Sequence, residues 1–160
     1  MKYVLSVLAL MFAASCGQPA ASHGDTAAPA NAPAGVMHVE SGWAGPTPNG
    51  VDVSAGYVTI TNATGAADRL LSATSPRARD VQLHEMSMDS NMVMQMRQVS
   101  SVDVPAGATV ALGPGGKHLM FTGVTQPFTE GEQIPVTLTF EHAGAINTSL
   151  TVSRAEPAHH

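Results

Sequence analysis

Thiol chemistry is almost absent from this sequence. Its single cysteine, Cys16, lies near the start. No thiolate set is available to hold zinc, and a blue-copper centre would have no cysteine ligand. Charge is sparse as well: 7 Lys and Arg stand against 12 Asp and Glu, a net −5. With no Lys/Arg run, basic patch or RNA-type aromatic motif, nucleic acid drops out as a partner class. No apolar run approaches the ~20 residues that span a bilayer. The longest, Val4 to Phe12, follows Lys2 and precedes the small residues Ala13-Ala14-Ser15, the pattern of a signal peptide. No stretch has a helical period with caps. G-x-S-x-G and a phosphate-cradling glycine loop are both missing, and HEMSM at 84–88 is not HExxH, because Met88 stands where the second histidine would be needed.

Methionine is what the chain has in excess. Of its 9 methionines, Met86, Met88, Met92, Met94 and Met96 fall within eleven residues. His84 and His118 bracket them, and Met120 lies two residues beyond His118. The segment HEMSMDSNMVMQM alternates toward and away from Asp89-Ser90-Asn91, which are turn formers, and so reads as a hairpin. Strand side chains alternate faces, so His84, Met86 and Met88 share one face of their strand, and Met92, Met94 and Met96 share one face of theirs. A three-residue loop at 89–91 pairs 88 with 92, 86 with 94 and 84 with 96, setting His84 across from Met96. A two-residue turn at Ser90-Asn91 would instead place Glu85 opposite Met96. His118 and Met120 share a face of a further strand, so two strand segments can bring two imidazoles and two thioethers to one point.

Thioethers are neutral and soft. A His₂Met₂ set suits a soft cation of low charge, and Cu(I) is the biological one that accepts both sulfur and imidazole nitrogen. Zinc is poorly served by such donors. The competing reading of the methionines is plain packing, since Met at alternate strand positions fills cores well. On that reading the Met faces are buried and His84 points away from His118. Asp80, Glu85 and Asp89 flank the segment as a solvated rim able to attract a cation. His23 falls in a polar stretch, and His38 and His142 decorate strand ends.

These residues carry a resemblance. His84 and Glu85 are followed by ten residues and then Met96; twenty-one residues later come His118, Leu119 and Met120. The spacing resembles the H(M)-x10-M-x21-H-x-M motif of the PCu(A)C periplasmic copper chaperones, a DUF461-type domain, with Glu85 in place of the optional Met. GWAGPTP, GYVTITN, PGGKHLM and PFTEGEQIPVTLTFEHAG extend the likeness over about 36–153. The resemblance implies a cupredoxin-like fold and one Cu(I) held by His84, Met96, His118 and Met120, with Met86 and Met94 as auxiliary ligands. It further implies delivery to the CuA centre of the copper-bearing subunit of cytochrome c oxidase, alongside a Sco-type thiol protein, and no enzymatic activity. The alternative is an envelope protein that stores copper or confers resistance without a specific recipient. Some members carry metal-binding C-terminal extensions; His159 and His160 are a thin version, and a frayed end is the better reading of them.

The chain divides into a signal peptide at 1–15, a tether at 16–35, one β domain at 36–153 and a short tail at 154–160. Cys16 directly follows the leader, where a lipoprotein carries its lipidated cysteine. The expectation is an envelope protein anchored to the membrane by lipid only. Ala, Pro, Ser and Gly dominate the tether, which offers no large side chain to bury. Within the domain, strands are expected at 36–41, 55–62, 68–74, 81–88, 92–99, 109–112, 117–122, 132–141 and 145–153, with turn residues between most of them. Many short strands with frequent turn signals predict an all-β Greek-key β-sandwich or barrel.

Overall fold

The computed structural model describes residues 35–155. The signal peptide, Cys16, His23, most of the tether, His159 and His160 lie outside the described residues. Eleven strands make up the fold: β1 (Met37–Val39), β2 (Gly42–Ala44), β3 (Val53–Asn62), β4 (Asp68–Thr74), β5 (Ala78–Met88), β6 (Met94–Gln98), β7 (Val102–Val104), β8 (Thr109–Leu112), β9 (Lys117–Val124), β10 (Gln133–Phe140) and β11 (Ala145–Val152). The all-β expectation holds, with no helix among the described residues.

Hydrogen bonding runs β5-β9-β3-β2-β11-β10-β4 and returns to β5 through Ala73 and Val81. The ring is a closed barrel of seven strands, a solution that removes exposed sheet edges. β1 and β8 add to the far half of β3, β7 adds to β4, and β6 stands outside the ring, paired with β5. Neighbours are antiparallel except β2 beside β11. The barrel fills with the inward residues of alternating strands, including Ile134, Val136, Leu138 and Phe140 of β10. Phe121 and Phe128 meet edge to face at 5.5 Å. Gly56 gives this packing its room. A Cβ there would lie 2.6 Å from the Phe121 ring and 2.8 Å from Leu150.

The structure corrects the expected strands in several places. β2 and β7 are only three residues each, too short for a periodic signal, and pairing from neighbouring strands defines them. β5 begins at Ala78 and not at 81, because Ala78 already pairs with Val124. β6 begins at Met94 and not at 92. The reason is the hairpin loop, which comprises Ser90, Asn91 and Met92, one residue later than expected. Asp89 and Val93 close it: the Asp89 amide donates to the Val93 carbonyl at 2.9 Å, and the Asp89 carboxylate accepts from the amides of Asn91 and Val93 and from Gln95 Nε2. Three-residue loops of this kind need a left-handed third residue, and Met92 supplies it with φ 63°. A loop at 89–91 would have put Asn91, a residue tolerant of that conformation, in this place. The three bonds to Asp89 decide the contest.

Candidate metal centre

Moving the loop by one residue moves the register by two, which keeps every side chain on its face but changes its partner. Met88 pairs with Met94, Met86 with Met96 and His84 with Gln98. His84 therefore does not face Met96 across the hairpin. On its other side β5 pairs with β9, setting His84 directly opposite His118 and Gln82 opposite Met120. β3 continues the face beyond β9, with Ala55 opposite Met120 and Tyr57 beside His118. The outer face of the β6-β5-β9-β3 sheet thus carries successive rows. Gln82, Met120 and Ala55 form one. Gln98, His84, His118 and Tyr57 form the next, and Met96 and Met86 the one after that. Met94 and Met88 lie nearest the loop.

The two imidazoles are the centre of this arrangement. Their ring centroids are 5.9 Å apart. Two imidazoles sharing a metal at M–N distances of about 2.0 Å have centroids roughly 5–6.4 Å apart. His118 is buried, at 5% exposure, while His84 is half-buried.

Hydrogen bonds fix which nitrogen each ring offers. His118 Nδ1 stands 3.2 Å from the Gly116 carbonyl, which can only accept, so Nδ1 carries the proton and Nε2 keeps its lone pair. His84 is set by a relay along β5. Gln82 Nε2 donates to the Asp80 carboxylate at 2.9 Å, which turns Gln82 Oε1 toward His84 Nε2, also at 2.9 Å. That oxygen accepts, so His84 Nε2 is the protonated nitrogen and Nδ1 is the free base. Nδ1 is buried and has no hydrogen-bond partner. An orphaned buried acceptor is costly unless something else occupies it. Burial, and then the charge of His118, hold the His84 pKa below its ordinary value, favouring the neutral ring that a metal requires.

Sulfur surrounds the pair. Met86, Met96, Met120 and His118 line one open cavity of about 280 Å³, with Tyr57, Ala55 and Gly115 among the residues of its other walls. His84 does not line this cavity; its ring stands beside His118. Met94 stands a row away, opposite Met88. Met96 is 50% exposed, so the methionines of the arm are not core packing. Among the described residues no three His, Cys, Asp or Glu side chains converge on a possible metal position. Donors here are neutral nitrogen and thioether, a set matched to a soft cation of low charge.

The expected carboxylate rim is otherwise employed. Glu85, on the opposite face of β5, bridges Lys117 at 3.0 Å and Arg97 at 3.2 Å. Those bonds, that to Lys117 first, hold its carboxyl below the usual range. They tie β9 and β6 to β5 behind the histidines. Asp89 holds the loop, and Asp80 orients Gln82. Sequence reasoning missed Gln82, Asp80 and the Gly116 carbonyl as positioning groups. The period-two spacing of Asp80, Gln82 and His84 was the available signal.

A profile of the LpqE-like family, described as "Putative lipoprotein LpqE-like", matches residues 37–152. The chain is 33% identical over 116 residues, covering 72% of its own length and 69% of the other, to "Putative lipoprotein Lxx21020" of Leifsonia xyli subsp. xyli. Its fold is similar to that of a copper-bound PCuAC domain from PmoF2, with a TM-score of 0.64 and 22% identity over 78% of this chain and 97% of that one. It is also similar to the solution structure of CuI-DR1885 from Deinococcus radiodurans, with a TM-score of 0.57 and 25% identity over 77% of this chain and 80% of that one. The barrel is thus the cupredoxin-like fold of PCuAC domains.

Proposed function

The chain belongs to the LpqE-like family, and from that premise we propose that it is a copper chaperone of the cell envelope, binding one Cu(I) and passing it on without catalysis. The ligands are His84 through Nδ1, His118 through Nε2, and the sulfurs of Met96 and Met120. Met86 is the replacement sulfur in the same cavity, and Met94 the next one outward along the arm. The observation that carries the reading is the opposed pair of imidazoles, each with its non-ligating N–H engaged and its other nitrogen free. Such outer hydrogen bonds are what metal-bound histidines ordinarily have. The copper named with the solved PCuAC domain and with CuI-DR1885 supports the same cargo.

The geometry suits release as well as capture. Two neutral imidazoles and two neutral thioethers leave the complex singly charged, and no anionic ligand has to be parted from the cation. Exposed Met96 lets an acceptor's thiolate or imidazole enter as a thioether leaves, exchanging ligands one at a time. Thioethers also avoid the disulfide formation that disables a thiol carrier in an oxidising compartment. Lipid at Cys16 anchors the protein, consistent with the lipoprotein descriptions of its family and relative. The recipient is the CuA centre of the copper-bearing oxidase subunit, with a Sco-type protein as a second partner. Mixing the Cu(I)-loaded protein with an apo CuA domain tests this: copper should appear in the acceptor at a rate above that of free Cu(I) buffered to the same activity. Equal rates would leave a storage role.

A further inference from the structure

The loop end of the β5–β6 arm carries sulfur that the histidine-containing site does not use. In this hairpin the ladder bonds fall on odd-numbered residues: the Asp89 amide donates to the Val93 carbonyl and the Val99 amide to the Leu83 carbonyl. Even-numbered residues therefore fall at the intervening positions, where opposed Cα atoms approach to about 4.5 Å and side chains are closest. Met88 and Met94 occupy such a position, one row beyond Met86 and Met96. Met88 is 58% exposed and Met94 45%, so neither fills a core. Met92, 78% exposed, holds the left-handed apex position, where Gly or Asn would sit with less strain. Asp89, the nearest carboxylate, is engaged by three N–H groups, and burial is too slight to offset them, so it stays ionised without being free to compete as a hard ligand.

We propose that the arm's tip is a second, weaker site for a soft monovalent cation, Cu(I) or Ag(I), held by the sulfurs of Met88, Met94 and Met92. Three thioethers without imidazole bind such a cation but no hard divalent one. The rows are two residues apart along each strand, about 6.7 Å. A cation taken up at the tip passes to Met86 and Met96, and then to the histidines, by replacing one sulfur at a time. The cargo assigned to the tip rests on the reading of the histidine site as a Cu(I) site; the sulfur cluster does not.

The test is titration of Ag(I) into the full chain carrying Cys16→Ser, following the methyl resonances of each methionine and the His118 ring. The first equivalent should shift Met96, Met120 and His118, and the second Met88, Met92 and Met94. Joint Met88→Leu and Met94→Leu replacement should reduce two bound cations to one and leave the first-equivalent shifts in place. A second equivalent that leaves the Met88 and Met94 methyls unmoved overturns the proposal, as does retention of two cations in the double variant. Shifts at the tip methyls with Met96, Met120 and His118 unmoved would support the tip site and overturn the histidine site.

Discussion

Gln82 is not itself a proposed ligand, yet replacing it should weaken copper binding. Its side chain connects Asp80 to His84 by two bonds of 2.9 Å each. Gln82→Leu keeps the size and the strand preference but removes the acceptor held against His84 Nε2. The ring then loses both its orientation and its fixed tautomer, and Nδ1 is no longer reserved as the free base. Outer-shell changes of this kind cost roughly tenfold to hundredfold in metal affinity, about 1.4–2.7 kcal/mol. Joint Asp80→Asn and Gln82→Glu replacement reverses the first bond, the introduced amide donating to the introduced carboxylate, which still accepts from His84 Nε2 and should retain the tautomer. The assay is Cu(I) competition against a calibrated chelator, paired with long-range proton–nitrogen NMR of the His84 ring in the copper-free protein. Gln82→Leu should lose affinity and show a mixed His84 tautomer; the Asp80→Asn, Gln82→Glu pair should show neither effect. Unchanged affinity and an unchanged tautomer in Gln82→Leu would refute the relay.

Three further outcomes follow from the barrel. Gly56→Ala forces a methyl against Phe121 and Leu150 and should destabilise the fold by about 1–3 kcal/mol in denaturant unfolding, with far less effect from Gly65→Ala, where a Cβ meets nothing. Burial pushes the Asp68 carboxyl up, but the amides of His142, Ala143 and Arg69 and the His142 ring outweigh it and hold its pKa below the ordinary value. Stability from Asp68 is therefore fully present above its unfolded pKa of about 3.9 and lost as pH falls through the lower folded value. Asp68→Ala should cost about 2–3 kcal/mol at neutral pH and flatten that acid transition, as read by urea melts across pH. Met92→Gly should relieve the left-handed strain and stabilise the protein by up to about 1 kcal/mol in thermal melts, with Met88→Gly destabilising it.

Much of the site was legible because strand parity is local. His84, Met86, Met96, His118 and Met120 fall on one face whichever three-residue loop closes the hairpin, since a shift of two positions preserves the face. The identity of each cross-strand neighbour was not legible. It depends on Asp89 acting as a cap to three N–H donors instead of sitting inside the loop, a choice set by side-chain hydrogen bonds that propensity does not weigh. The opposition of His84 and His118 depends on β5 pairing with β9, some thirty residues away in sequence, and no turn chemistry joins those strands. β2 and β7 escaped for a related reason. A segment such as Gly42-Trp43-Ala44 becomes a strand because β3 and β11 bond to it on either side. The closed ring needs four contacts between sequence-distant strands: β5 with β9, β9 with β3, β2 with β11 and β10 with β4.

The central claim is a soft-cation site built from two imidazoles and thioether sulfur. X-ray absorption of the full chain carrying Cys16→Ser, loaded with one equivalent of Cu(I), tests it most directly when set beside His118→Ala and Met120→Leu. The account predicts a shell containing both nitrogen and sulfur, with nitrogen diminished in the first variant and sulfur diminished in the second. A shell of nitrogen or oxygen alone, or one unchanged by both substitutions, would contradict it.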